Sequence, residues 1–266
     1  MDQYTKANQL SWDERLPIHT ASESYGLNSF KAGRCSLKSI ELEELGDVSG
    51  KSLLHLQCHF GMDTLSWARR GAIVTGADFS EPAIKQAGEL AKELNIEAKF
   101  VLSNIYNLPE NLDGSFDIVF TSYGVLCWLG NIERWASVVS HFLKPGGVFY
   151  FVNGHPVANM LDEESEKPSI RYSYFNTGPV EFNTPWTYTD GDVRLVNSKT
   201  YEWSHSIGEI VTALIKSGLE IHFIHEFPFS FHKYIPSMVL GEDGWWRLPD
   251  GDERIPLMLS IMTKKK

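Results

Sequence analysis

One stretch, residues 52 to 80, constrains the fold of this chain more than any other. It begins with an apolar run, Ser52–Leu56, that is typical of a strand in a parallel sheet. Gly61 permits a sharp turn into a short helix, and a second apolar run, Ala72–Ala77, leads directly to Asp78. The pattern therefore predicts a strand–loop–helix–strand unit with a carboxylate at the end of its second strand.

The position of Asp78 indicates what such a unit binds. In open α/β sheets, ligands lie outside the carboxyl ends of the strands, and a helix N-terminus beside the loop favours anions. A carboxylate there can accept both hydroxyls of a ribose, and its spacing from Gly61 is close to the roughly 20 residues expected for a ribose-binding acid. A nucleoside with an anionic group fits, so nicotinamide and sulfonium cofactors both stay open. The alternative is that Asp78 only caps the following helix.

The loop and the second strand resemble those of class I S-adenosyl-L-methionine (SAM)-dependent methyltransferases of the bacterial small-molecule type. In that family a hydrophobic strand precedes Gly-x-Gly-x-Gly, a helix, and an Asp or Glu that ends the second strand. Here Gln57 and His59 stand at the first two glycine positions, and Gly61 stands at the third. Asp78-Phe79-Ser80 matches the second motif of the family. The resemblance implies a sheet of seven strands, with the last strand antiparallel between strands five and six.

The same resemblance implies which residues bind the cofactor. Asn104 follows a third predicted strand, Lys99–Leu102, at the position from which family members contact the adenine amino group. Its amide oxygen can accept from that group, although a simple turn asparagine is the alternative. A fourth strand, Phe116–Phe120, is followed by the family's methionine-binding segment. The expected cofactor-binding residues are Gln57, Cys58, His59, Gly61, Asp63, Asp78, Phe79, Ser80, Asn104, Ile105, Thr121 and Tyr123.

Candidate residues for the chemical step lie after the fifth predicted strand, Val148–Val152. His155 follows it and is well placed for acid–base work, with a hydrogen-bonded structural histidine as the alternative. A base is needed only if the methyl acceptor must lose a proton, and His59, His205 and Glu226 are weaker candidates. The expected substrate-binding residues are His19, Tyr25, Trp128 and Trp186.

Two regions do not follow the alternation of strand and helix. Residues 1–50 are expected to form an N-terminal helical flap over the cofactor or to pack on the sheet, with a helix over Ser36–Leu45. Residues 51–266 are expected to form the methyltransferase domain. Within it, residues 157–203 are rich in aromatic side chains, and a pair such as Asp190-Gly191 predicts β-hairpins. In relatives, an insertion after strand five shapes the substrate pocket.

The remaining elements follow from apolar periodicity and from capping residues. They are a helix from Ser80 to Asn95, a helix over Ile132–Leu143, a turn at 144–147, a helix from the Ser206/Glu209 capping box to Gly218, and strands Leu219–Glu226 and Leu257–Thr263. Residues 227–254 are expected to form a long excursion over the active-site face. The fold class predicted is α/β, a doubly wound Rossmann-like sheet of seven strands with a helical flap and a β-hairpin insertion.

Composition and charge narrow the classes of partner. A net charge of −10 makes the chain a poor partner for a phosphate backbone, so a nucleic-acid methyltransferase is a weaker alternative. Cys35, Cys58 and Cys127 are odd in number and widely spaced, which indicates a reducing compartment, and no pair of ligands indicates a metal. Neither a signal peptide nor an apolar stretch of about 18 residues is visible, so a cytoplasmic protein with no membrane partner is predicted.

The function predicted is transfer of a methyl group from SAM to an oxygen or nitrogen atom of a small-molecule substrate. Two other classes stay open. A nicotinamide-dependent oxidoreductase would use a similar sheet, although the missing glycines count against it. A non-catalytic SAM-binding module would bind the cofactor with its substrate mouth blocked. Whether the chain forms a homodimer also stays open.

Overall fold

The computed structural model describes residues 1–189 and 192–266. Its strands are β1 (Ser52–Leu56), β2 (Ile73–Asp78), β3 (Lys99–Leu102), β4 (Phe116–Thr121), β5 (Leu143–Gly154), β6 (Val180–Asn183), β7 (Lys199–Glu202), β8 (Leu219–Phe227), β9 (Phe229–Ser230), β10 (Val239–Leu240), β11 (Trp246–Arg247) and β12 (Met258–Lys265). Its α-helices are α1 (Gln3–Ala21), α2 (Leu27–Lys31), α3 (Ser39–Leu45), α4 (Met62–Arg69), α5 (Glu81–Glu93), α6 (Leu108–Asn111), α7 (Ile132–Phe142) and α8 (Ile207–Lys216).

The main sheet has seven strands in the order β3-β2-β1-β4-β5-β12-β8. Strand β1 pairs in parallel with β2 and with β4, and β2 pairs in parallel with β3. Strand β12 is antiparallel to both of its neighbours, β5 and β8. The predicted Rossmann-like sheet, with its last strand antiparallel between the fifth and the sixth, is therefore confirmed.

The described residues form two compact units. The first unit comprises Met1–Phe120, His141–Gly147 and Val180–Tyr201, and the second comprises Thr121–Ser140, Val148–Pro179 and Glu202–Lys266. In the first unit, fully buried Trp67 packs edge-on against Phe120, with 5.6 Å between ring centroids. In the second unit, fully buried Trp135 packs in the same way against Phe149, at 5.4 Å. Large aromatic side chains thus form a core in each unit.

Local signals account for several element boundaries. The Ser80 hydroxyl accepts a hydrogen bond from the backbone N–H of Ala83, so Ser80 is the predicted N-cap of α5. The capping box of Ser206 and Glu209 is also present at the start of α8. The observed bounds of β1 and β3 are the predicted ones. These predictions are therefore confirmed. Each of them depends only on residues that are neighbours in the chain.

Other elements differ from the prediction. Helix α1 covers residues that showed no periodic apolar pattern, because the side chains it buries include the polar residues Asn8, Ser11, Arg15 and His19. The helix expected over Ser36–Leu45 begins at Ser39. Strand β5 runs through the turn expected at 144–147, where a side chain at Gly147 would lie 2.9 Å from the carbonyl oxygen of Lys144. Only a glycine permits that close approach.

The expected β-hairpin region is partly confirmed. Strands β6 and β7 pair as a two-stranded sheet, and residues 184–198 connect them. The proposed turn at Asp190-Gly191 lies outside the described residues. Across residues 1–189 and 192–266, no helix has both the length and the apolar character needed to cross a membrane.

Candidate functional site

The loop after β1 turns through three residues in the left-handed region. Gln57 has a φ of 57°, His59 one of 51° and Gly61 one of 81°. The backbone therefore adopts glycine-type conformations at all three positions of the family's Gly-x-Gly-x-Gly motif, although only the third is a glycine. A side chain in this conformation costs about 1–2 kcal/mol. Gln57 and His59 are kept at that cost, which indicates a use for their side chains.

Asp78 ends β2 beside this loop. One carboxylate oxygen accepts the backbone N–H of His59 at 2.8 Å, and the other accepts that of Ser80 at 2.9 Å. The residue is 8% exposed, and its burial raises the pKa of the carboxyl to about 6 against the opposing effect of these hydrogen bonds. A third backbone N–H, that of Phe79, also bonds to this carboxylate. The two oxygens together offer about four acceptor sites, so the anchored carboxylate can still accept a ligand hydroxyl.

Helix α1 adds a second carboxylate that sequence reasoning missed. The charge of Asp13 adds to the effect of burial in raising the pKa of Asp78. One carboxylate oxygen of Asp13 is buried without a hydrogen-bond partner. The side-chain amide of Gln9 holds the helix there by donating to the carbonyl oxygen of Phe79 at 2.7 Å. A buried acceptor without a donor indicates a place where a ligand donor fits.

Two histidines meet between α1 and the loop. The Nδ1 atom of His19 lies 3.0 Å from Nε2 of His59, and Nε2 of His19 lies 2.7 Å from the hydroxyl of Thr187. Burial, with help from the charge of Arg15, lowers the pKa of His19 to about 3. Burial likewise holds the pKa of His59 well below its usual range. Both rings are therefore neutral near pH 7, with one donating to the other.

Aromatic rings surround this histidine pair. Tyr25 stacks on His19 with 5.1 Å between ring centroids, and its hydroxyl bonds to that of Tyr188. Trp12 lies edge-on to His59 at 5.3 Å. His19, Tyr25 and His59 are thus brought together as three of the predicted site residues. Trp12, Tyr188 and Thr187 were missed, because nothing in their spacing indicates that they meet.

The predicted adenine contact already has a structural partner. The side-chain oxygen of Asn104 accepts the backbone N–H of Tyr106 at 2.9 Å and caps a short 3₁₀ helix. Ile105 beside it is 8% exposed. The amide oxygen keeps one lone pair for an amino group. The role of both residues in cofactor binding stays a prediction.

Three other predicted cofactor residues are engaged locally. Asp63, in the first turn of α4, accepts the hydroxyl of Ser36 at 2.6 Å. Cys58 is buried, and its burial raises the pKa of the thiol well above the usual range. Ser80 is 1% exposed and caps α5. Their contacts with a cofactor also stay predictions.

In the second unit, aromatic rings gather after the end of β4. Thr121 is fully buried, and the ring of Tyr123 lies 4.8 Å from that of Phe231 and 6.3 Å from that of Trp245. The indole N–H of Trp128 donates to the carbonyl oxygen of Gly124 at 2.8 Å. In the first unit, Trp186 is 41% exposed and lies under the guanidinium of Arg194.

Both ring nitrogens of His155 are engaged. Its Nδ1 accepts the backbone N–H of Val157 at 3.0 Å, so the ring proton sits on Nε2, which donates to Glu226 at 2.8 Å. The residue is 2% exposed, and burial lowers the pKa of the imidazole although Glu226 opposes that effect. The Nε2 of the weaker candidate His205 likewise bonds to the carbonyl oxygen of Leu129. The role of His155 as a base stays a prediction.

Within residues 1–189 and 192–266, no group of three or more His, Cys, Asp or Glu side chains is arranged to hold a metal ion.

Comparison with known proteins places these features in a family context. The family described as "Methyltransferase domain" matches residues 54–151, which run from β1 into β5 and include the loop and Asp78. An uncharacterized methyltransferase of Synechocystis sp. is 33% identical over 159 residues, which cover 59% of this chain and 69% of that protein. A ubiquinone biosynthesis O-methyltransferase of Alkalilimnicola ehrlichii is 32% identical over 117 residues, which cover 42% of this chain and 46% of that relative, about half its length.

The fold has counterparts among solved structures. An S-adenosylmethionine-dependent methyltransferase from Mesorhizobium loti superposes with a TM-score of 0.59 at 20% identity, covering 88% of this chain and 100% of that chain. At this identity the likeness concerns the fold.

Proposed function

This chain belongs to the class I SAM-dependent methyltransferases, and on that premise we propose that it methylates an oxygen or nitrogen atom of a small organic molecule. The cluster of Tyr123, Phe231 and Trp245 carries this proposal. Tyr123 follows the end of β4, at the edge of an α/β sheet where ligands bind, and Phe231 and Trp245 pack against its ring. Aromatic side chains are typical of pockets for organic ligands.

The residues of the first unit fit the cofactor. Asp78 keeps an acceptor site beside the loop in addition to its backbone hydrogen bonds, and Asp13 adds a buried oxygen without a donor, so the two carboxylates suit the two hydroxyls of a ribose. We propose that Gln57 and His59 hold the amino-acid end of SAM. When bound, SAM supplies a methyl group activated by its positive sulfur, and S-adenosylhomocysteine is left when the sulfur–carbon bond breaks.

We further propose that residues 1–50 act as the flap of this site. Helix α1 contacts the segment after β2 through Gln9 and the loop after β1 through His19. Such a cover excludes water and fixes the reactants, which is the main contribution a protein makes to methyl transfer. This arrangement supports a catalytic methyltransferase with a closing element.

A hydroxyl or phenol acceptor loses its proton as the carbon–oxygen bond forms, whereas a carboxylate has none to lose. His155 remains our candidate for the base that accepts this proton. It accepts one only at Nδ1, in exchange for the hydrogen bond from Val157, while Nε2 stays bonded to Glu226. Turnover in a His155→Ala variant tests the role, and an unchanged rate on the true acceptor would exclude it.

A methyl-transfer screen tests the proposed function. The protein is incubated with methyl-labelled SAM and pooled phenols, carboxylic acids and amines, and release of S-adenosylhomocysteine is measured. We expect transfer to one pool, and none in an Asp78→Asn variant that lacks the ribose-binding carboxylate. Pooled RNA and DNA serve as controls, and the net charge of −10 predicts no transfer to them. Binding of SAM without transfer to any pool would favour a non-catalytic binding module.

A further inference from the structure

His59 contacts two different parts of the first unit, one through its backbone and one through its side chain. Its backbone N–H donates to Asp78 at 2.8 Å, and its φ is 51°, a conformation that glycine adopts freely. A glycine here would make the same backbone hydrogen bond without the cost of the left-handed conformation. The contact with Asp78 therefore does not account for a histidine at this position, and the reason lies in the side chain.

The ring of His59 is enclosed by residues of the flap. Its Nε2 atom lies 3.0 Å from Nδ1 of His19. The rings of Trp12 and Tyr25 lie edge-on to it, with 5.3 Å and 5.8 Å between ring centroids. The side chain of a residue in the loop after β1 thus supplies both a hydrogen bond and an aromatic surface against which the flap packs.

His19 extends this contact to a third segment. It is fully buried, and its Nε2 atom lies 2.7 Å from the hydroxyl of Thr187, in the connection between β6 and β7. A neutral imidazole has one donor and one acceptor nitrogen, so one tautomer of His19 serves both contacts. The loop after β1, helix α1 and this connection are therefore joined by one chain of hydrogen bonds.

These contacts link the position of the loop to that of the flap. A ligand that holds Asp78 in one arrangement also holds His59, because the backbone of His59 is bonded to that carboxylate. A ring that is already fixed offers α1 its hydrogen bond without the entropy cost of ordering it. By thermodynamic linkage, docking of α1 then favours binding of the ligand to the same extent.

We propose that His59 is a positioning residue, which couples closure of the flap to occupation of the ribose site at Asp78. The inference rests on the proposed binding of SAM, and it adds a role that a glycine at this position cannot have. With glycine, the loop would keep its backbone contact with Asp78 and lose its bond to α1. A flap that closes in response to the cofactor excludes water from a loaded site.

Amide hydrogen exchange with and without S-adenosylhomocysteine tests the coupling. We expect saturating ligand to raise protection in wild-type α1 by about fivefold, the effect of one hydrogen bond of about 1 kcal/mol. His59→Gly should bind the ligand more weakly and lose that rise. His59→Gln should restore it, because the glutamine amide can take the place of Nε2 as a hydrogen-bond partner. Gln57, with a φ of 57°, shows that the loop accepts this side chain in the same conformation.

The matched control for the backbone is Asn95→Gly. It relieves a left-handed conformation with a φ of 54° outside the loop, so it should keep the rise of protection in α1. Protection in α8 is the reference for stabilisation of the whole chain by the ligand. Thermal unfolding of each variant confirms that it is folded at the temperature of the exchange.

A variant on the flap separates the hydrogen bond from the loop. His19→Phe keeps an aromatic ring on α1 and removes the bond to His59, while the loop itself is unchanged. It should lose the rise of protection as His59→Gly does, and the double variant should show no further loss, because both changes remove the same bond.

Two results would overturn the inference while S-adenosylhomocysteine still binds. One is wild-type protection in α1 that does not respond to the ligand. The other is a rise that persists in His59→Gly or in His19→Phe. A wild type to which S-adenosylhomocysteine does not bind at all, measured by calorimetry, would instead contradict the cofactor and with it the proposed function.

Discussion

At the scale of single residues, Asp78 combines burial with a task that depends on charge. The carboxylate accepts two backbone N–H groups, and burial raises its pKa to about 6. When ionised, the carboxylate can accept hydrogen bonds from ligand hydroxyls at both oxygens. When it is protonated, one of its oxygens carries an O–H group that donates instead. The ligand affinity of this residue is therefore linked to its ionisation.

We expect the affinity for SAM to fall as the pH drops from 8 to 5. Below about pH 6 the free protein carries a proton on Asp78 that must leave before the ribose binds, so the dissociation constant rises by up to about tenfold per pH unit. Isothermal titration measures the change. In the Asp78→Asn control, binding should be weak and independent of pH. Equal affinity of the wild type at pH 5 and pH 8 would contradict the assignment.

Gln57 combines a strained backbone with a side chain, although a glycine at this position would be free of strain. Its φ of 57° belongs to the region that glycine occupies without cost. The family pattern has a glycine there, so the side chain is expected to compensate for the strain through ligand binding.

Replacing Gln57 by glycine tests that balance. We expect Gln57→Gly to raise the free energy of unfolding by about 1 kcal/mol, because relief of the left-handed conformation exceeds the entropy cost of glycine. SAM affinity should fall at the same time. Asn95→Gly is the matched control, because Asn95 has a φ of 54° just after α5. It should leave SAM affinity unchanged, and an unchanged affinity in Gln57→Gly would exclude Gln57 as a contact.

At the scale of elements, α1 is held by polar contacts rather than by an apolar stripe. The side chain of Asn8 both donates to and accepts from the backbone of Tyr201, at 2.7 Å in each case. The carboxylate of Glu14 accepts the backbone N–H groups of Val196 and Asn197. Water can replace such bonds once the helix moves, so α1 is expected to open at a lower free energy than the core helices.

Docking of α1 should weaken in acid. The pKa of His19 is about 3 when docked and near 6.5 when exposed, so docking is unaffected above pH 6.5 and loses about 2 kcal/mol by pH 5. The facing groups His59 and Arg15 act in the same direction. Amide hydrogen exchange, corrected for the intrinsic effect of pH, should show protection in α1 falling while that in α5 stays constant. His19→Gln should flatten the dependence, and constant protection of wild-type α1 would contradict the prediction.

At the scale of the whole molecule, a ligand that binds only the folded chain stabilises all of it. SAM at about 100 times its dissociation constant adds about 2.7 kcal/mol, which for a chain of 266 residues raises Tm by about 5 °C. Thermal unfolding with SAM, S-adenosylhomocysteine and NADH measures this. We expect a shift with the first two and none with NADH. A shift with NADH alone would contradict the cofactor.

Local signals allowed the central elements to be predicted. The apolar run of β1 indicated the bounds of that strand, because a strand buried in a parallel sheet is apolar along its length. Asp78 was found because a carboxylate after the second strand is a local pattern. Asp13 was not found, because only the folded chain brings α1 to the segment after β2, where Gln9 donates to Phe79.

The sequence by itself determined the alternation of strands and helices from β1 to β4, the loop after β1 and the family, since apolar periodicity, caps and turns act between near neighbours in the chain. The tertiary structure alone decided how α1 docks and which polar groups are buried with it. Asn8 and Tyr201 stand 193 positions apart, and His19 and Thr187 stand 168 apart. Burial of a polar side chain is stable only when its partner is present, and that partner is not encoded in the neighbouring sequence.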